Sequence, residues 1–269
     1  MKKISAFILV AVLLLCGCSN STEKNEITVQ PQNENKESEI PEEVVIPEDV
    51  VAPKEESVIV SSLYGKIIVV DPGHGINSYS KQEPVAPGSS QMKAAFVSGT
   101  RGANQTEEQL NLSVGLKLKA ALEAKGATVY MTRETHECDV SNVDRAKMAN
   151  DLNADIAVRI HADGSENSSA RGVSVLVPGN QYIKDNDLIT KSRSAGESVL
   201  VSFAESTGAQ NRGISVRNDM TGFNWSTVPV ILVEMGFMTN PEEDRLMETE
   251  DYQNKMVNGM VNGLEKYFE

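Results

Sequence analysis

From about Leu63 onward, short runs of Val, Ile and Leu alternate with longer stretches in which apolar residues recur every three or four positions. The short runs predict strands at Lys66–Val70, Ala127–Met131, Asp155–Ile160, Gly172–Val177 and Val228–Val233. The periodic stretches predict helices over Thr106–Lys125, Asn142–Leu152, Asp187–Ser206 and Pro241–Phe268. Strands alternating with helices of this length imply an α/β fold, its mainly parallel sheet covered on both faces. Residues 63–269 read most simply as one domain. Within it, Ile76–Gln105 has no clear period and is rich in Ser, Gly, Pro and Lys. A loop of that length inside a compact domain usually borders a functional site.

The pattern upstream is different. Lys2 and Lys3 precede the mostly apolar Ile4–Leu15, and Leu15-Cys16-Gly17-Cys18 closes the segment. The apolar core is short for a membrane span, so residues 1–18 read as a signal peptide ending in a lipobox, with Cys18 the lipidated residue. A plain secretory signal, giving a secreted protein, is the alternative. Residues 19–62 form an acidic linker. From Ser19 to Ser57, eleven acids against three bases leave a net −8, with Pro31, Pro41, Pro47 and Pro53 interspersed. So few apolar residues and so much like charge predict a disordered tether.

Charge and cysteine content narrow the classes of function. The chain has 269 residues and a formal net charge of −13. That argues against nucleic acid as a partner, which requires clustered Lys and Arg. After processing at Cys18, Cys138 is the remaining thiol, so the exported domain relies on its apolar core instead of a disulfide. Glu137 and Asp139 flank Cys138, a setting that disfavours a nucleophilic thiolate.

Candidate chemistry gathers where apolar runs stop. His74 follows KIIVVDPG, His161 follows ADIAVRI and Glu234 follows PVILV. Ligand sites in parallel α/β folds collect beyond the carboxyl ends of strands. Two of the chain's three histidines and a carboxylate brought to one sheet edge suggest a catalytic metal centre. A third ligand is available from the helix that opens at Thr106. Thr106 and Gln109 form a capping box, and Glu107 shares the inward stripe of Leu110, Val114, Leu118 and Ala121. Glu108 is rotated about 100° away and suits the positive end of the helix dipole. Glu234 is expensive to bury without a partner. It reads as an acid–base carboxylate beside activated water, or as half of a salt bridge with Arg159 or Arg145. His136 reads as a surface-loop residue, and as the first substitute if His74 or His161 fails.

Taken together, VVDPGHG, the Glu107 helix EEQLNLSVGLKLKAALEAKGA, VYMTR, DRAKMAN, RIHAD, RGISVRN and PVILVEMGFMTNP resemble the zinc-dependent N-acetylmuramoyl-L-alanine amidases of the type-3 group. The resemblance runs from about Lys66 to Phe268. It implies a three-layer α/β/α sandwich with a mainly parallel twisted sheet, and one Zn2+ held by His74, Glu107 and His161. It implies Glu234 as the catalytic residue and peptidoglycan as the substrate, cut at the amide between muramic acid and L-alanine. The expected product is a monomeric enzyme at the bacterial envelope, tied to the membrane through its N-terminal lipid. Need for a protein activator is left open. Arg159 departs from the family's usual Ser in Ser-Ile-His-Ala-Asn and is a candidate substrate-binding residue. The rivals are a related zinc peptidase or deacetylase acting on another amide, and a non-catalytic wall-binding lipoprotein.

Overall fold

The computed structural model describes residues 60–76 and 79–269. The signal segment, Cys18 and nearly all of the tether lie outside the described residues. Strand β1 (Ile67–Pro72) leads through a short hairpin, β2 (Gln82–Pro84) and β3 (Met92–Ala94), to helix α1 (Glu107–Ala124). Then follow β4 (Thr128–Met131), α2 (Asn142–Asp151), β5 (Ile156–Asp163), β6 (Val173–Pro178), α3 (Asn186–Thr207), β7 (Asn211–Arg217), α4 (Thr221–Asn224), β8 (Val230–Phe237), α5 (Pro241–Met247) and α6 (Glu250–Phe268). The main sheet has six strands in the order β4-β1-β5-β8-β6-β7, parallel except where β6 meets β8.

Period-two alternation sends successive side chains to opposite faces. Ile68, Val70, Ile156, Val158, Ile160, Ile231 and Val233 pack with α1, α3 and α6 in the larger core. Val69, Ala157, Val230 and Leu232 pack with Ala149 of α2 and Phe223 of α4 on the other side. These two layers and the sheet between them make the expected three-layer sandwich. Continued past the core, the same alternation places Asp71, Arg159 and Glu234 on the α2 side of the sheet.

Four departures from the sequence pattern bear on the site. Strands β5 and β8 do not stop at His161 and Glu234. They run on to Asp163 and Phe237, with a register shift between His161 and Asp163, so both side chains sit within paired strands. The carboxy-terminal helical stretch is two helices, broken at Glu248 and restarted by Thr249 as a cap. Strand β7 has no apolar run to announce it, because it is a sheet-edge strand with an exposed or half-buried pattern throughout. Lastly, the loop Ile76–Gln105 contains the hairpin β2–β3.

Candidate active site

Helix α1 begins as its capping box predicts: the Thr106 hydroxyl accepts from the backbone N–H of Gln109 while Gln109 Oε1 accepts from Thr106 N–H at 2.9 Å. This fixes the first turn and aims Glu107, only 3 % exposed, past the end of the sheet. Its Oε1 lies 3.1 Å from His74 Nε2 and 3.0 Å from His161 Nδ1, and those two nitrogens are 3.1 Å apart. Among the described residues, His74, Glu107 and His161 form the one group of three with metal-ligand atoms converging this closely. Thr100 N–H donates to Glu107 Oε2 at 2.8 Å, and Ala162 N–H and Asn111 Nδ2 donate to Oε1 at 3.2 Å each.

Local backbone makes the convergence possible. His74 adopts φ 62, a left-handed conformation costly for a residue with a bulky side chain. Two arginines hold that turn: Arg133 donates to the carbonyls of Pro72 and Gly73, and Arg145 to those of Pro72 and His74. Gly73 is required because a Cβ there would meet the His161 ring at 2.2 Å.

The arrangement fits a metal ion. His74 Nδ1 is 2.7 Å from the carbonyl of Val97, which places its proton on Nδ1 and leaves the Nε2 lone pair facing the cluster. Burial pushes the His161 imidazole down to about 4, against the opposing pull of Glu107, so it is neutral near pH 7. For Glu107, burial opposes ionisation, but the adjoining His161 and His74 rings outweigh it and hold the carboxyl below its ordinary range. Two imidazoles and a carboxylate turned toward one point repel one another unless a proton or cation lies between them.

Glu234 sits beside the cluster, directly across from His161 in the β5–β8 register. Both line an open cleft of about 580 Å³ with His74, Glu107 and Asp163. The Glu234 Oε2 atom is buried and has no hydrogen-bond partner. Burial, then the charges of Glu107 and Asp163, raise its carboxyl well above the ordinary value, only partly countered by Arg217 and Arg159. The salt-bridge alternative for Glu234 does not materialise. Arg159 and Arg145 both turn to Asp71 instead, at 2.7 and 2.5 Å.

The remaining expectations can be placed in turn. Arg159 is 5 % exposed, with Nε on Asp71 and Nη2 on Asn142, yet it reaches the wall of a second pocket beside the two histidines. His136 is exposed and bonds Glu108, Nδ1 to Oε2 at 2.8 Å, away from the cluster. Cys138 is buried with Sγ 2.9 Å from Arg145 Nη2, so its nearest charge is a guanidinium, although its sequence neighbours are acids. Asp71, which the sequence pattern does not mark as a candidate, is the buried acid that Arg145 and Arg159 grip. Its one signal is that it closes an apolar run as Glu234 does.

A His–Glu–His cluster beside a carboxylate with an unpartnered oxygen, near the carboxyl ends of parallel strands, is a candidate metal centre. The N-acetylmuramoyl-L-alanine amidase family model matches residues 68–266. N-acetylmuramoyl-L-alanine amidase Rv3717 of Mycobacterium tuberculosis is 31% identical over 214 residues, covering 77% of this chain and 88% of that protein. The probable cell wall amidase LytH of Staphylococcus aureus is 29% identical over 206 residues, and the match spans 60% of its length. Among solved structures, the N-acetylmuramyl-L-alanine amidase Ami1 of Mycobacterium smegmatis superimposes with a TM-score of 0.71 at 29% identity, covering 77% of this chain and 99% of that one. The chain therefore belongs to the N-acetylmuramoyl-L-alanine amidase family. It is an enzyme that hydrolyses the amide joining N-acetylmuramic acid to L-alanine in peptidoglycan.

Proposed function

We propose that the amidase works with one Zn2+ held by His74 Nε2, His161 Nδ1 and a Glu107 oxygen, and with Glu234 as its acid–base residue. The convergence of those three ligand atoms beside an unpartnered carboxylate carries the reading. Bound there, zinc supplies a Lewis acid that polarises the scissile carbonyl. The chain's own residues do the rest. The Val97 carbonyl keeps the His74 proton away from the cluster, and Thr100 and Ala162 hold the Glu107 carboxylate in place. Glu234 takes a proton from the attacking water at Oε2 and delivers it to the departing alanine nitrogen. With no competing hydrogen bond to break, that oxygen is free to accept.

The experiment is to incubate the full chain with purified peptidoglycan and quantify newly exposed N-terminal L-alanine. A chelator should abolish release and added zinc should restore it. Glu234→Ala should lose turnover by roughly 10²-fold or more while retaining bound zinc. Chelator-resistant release, or an active Glu234→Ala enzyme, refutes the corresponding role.

The same reading places the enzyme outside the cytoplasm, at the cell envelope, where its substrate lies. LytH, named as a cell wall amidase, supports that location. Among the described residues, no helix is long and apolar enough to cross a membrane. The lipobox setting of Cys18 supports attachment through an acylated N-terminus. Replacing Cys18 with Ser should move the protein from the membrane fraction to the soluble one. Retention of the variant in the membrane fraction would refute attachment through Cys18, and a wild-type protein already in the soluble fraction would favour secretion by another cleavage.

A further inference from the structure

A second pocket, about 220 Å³, adjoins the reaction centre and shares His74 and His161 with it as wall residues. Its far wall is cationic. Arg145, Arg159, Arg217 and Lys93 line it, while the acids within hydrogen-bonding reach of them are Asp71 and Asp219. Four positive charges against two negative leave a local surplus in a chain whose formal net charge is −13. The remaining wall is mixed, with Ala94, Phe96, Val97 and Met220 apolar and Asn142 and Thr221 polar.

The donors are not all spent on these acids. Arg159 commits Nε to Asp71 and Nη2 to Asn142, which leaves Nη1 without a hydrogen bond. Gly222 makes room for that nitrogen: a Cβ at 222 would lie 1.9 Å from Nη1. Arg217 commits Nε and Nη2 to the two Asp219 oxygens, and its Nη1 also lacks a partner. A guanidinium 5 % exposed, held by two partners at a pocket wall and with one donor uncommitted, is a preorganised anion-binding group.

We infer that this pocket is a carboxylate subsite for the peptide stem, in which Arg159 and Arg217 bind a free carboxylate on the residue that follows the alanine. The inference rests on the amidase reading and adds the substrate feature this enzyme selects. The reach is suitable. One extended residue spans roughly 3.5 Å, and the two pockets share His74 and His161, the histidines assigned to the zinc in the amidase reading. The volume suits a short peptide segment better than a saccharide, and the apolar part of the wall suits a methyl side chain. A serine at position 159 would have neither the charge nor the length to make this contact.

The test compares two peptidoglycan preparations that differ only in whether that carboxylate is free or a carboxamide. Initial rates are read as L-alanine N-termini exposed by the zinc-loaded full chain. The wild-type enzyme should favour the free carboxylate by ~10-fold or more, the scale of a charge-assisted hydrogen bond. In Arg159→Ser and in Arg217→Gln the ratio between the two substrates should fall toward one. Because each ratio is taken within one protein, loss of folded enzyme cancels. Equal wild-type rates on the two polymers would overturn the subsite and leave the amidase standing. Absence of new alanine termini from both would overturn the amidase reading itself.

Discussion

Asp71 on β1 and Glu234 on β8 flank the same strand, β5, one opposite Arg159 and the other opposite His161. Both are acids that follow apolar runs on the α2 side of the sheet; Asp71 is buried, and Glu234 is half-buried with its Oε2 atom removed from solvent. Asp71 receives Arg145, Arg159 and the Thr132 hydroxyl at 2.6 Å. These overcome the cost of burial and hold its carboxyl far below the usual range. Glu234 receives no hydrogen bond at Oε2 and is held high. A buried carboxylate satisfied on every side is a structural anchor, and one left unsatisfied is available for proton transfer. Asp71 serves the site only through what its arginines grip: Arg145 reaches on to the Pro72 and His74 carbonyls.

The contrast is broken most directly at Asp71. Asp71→Asn leaves two guanidiniums, 5 and 7 % exposed, without their counter-charge. Removing one partner from a buried ion pair costs about 3–5 kcal/mol. Denaturant unfolding should show a loss of that size. Turnover should fall too, since the left-handed His74 turn loses part of its support. A loss under about 1 kcal/mol would mean that the Asp71 cluster behaves like a surface pair, and the anchor assignment would fail.

That cluster also marks where the sequence stops being informative. His74, Glu107 and His161 could be read from one dimension, because each is set by local rules: a strand end, a helix stripe and another apolar run. The parallel sheet then brings the three together. The Asp71 network joins residues from β1, the turn after β4, α2 and β5, and no local pattern links four such segments. On charge alone, Arg145 and Arg159 suit Glu234 as well as they suit Asp71. Register decides, since Asp71 lies directly opposite Arg159 while Glu234 lies opposite His161. Edge strand β7 and the β2–β3 hairpin were illegible for a different reason. They bury too little to leave an apolar signature, with β7 exposed or half-buried along its whole length.

The two acids should also give stability profiles of opposite slope in metal-free protein. Glu234 has a folded value above its ordinary 4.5, so the native state holds the proton more tightly than the unfolded chain. Its contribution is therefore fully present below pH 4.5 and is lost as pH rises through the folded value. Asp71 behaves in the reverse sense. Its contribution is present above 3.8 and is lost as pH falls toward its depressed folded value. Glu234→Gln removes the first slope without touching the second. Metal-stripped Glu234→Gln should gain on wild type steadily as pH is raised from 4.5, while both lose stability together on the acid side. Urea unfolding at a series of pH values measures the difference. Parallel curves for the two proteins would show that Glu234 is ionised at no cost in the native state, and the distinction between anchor and proton carrier would then rest on catalysis alone.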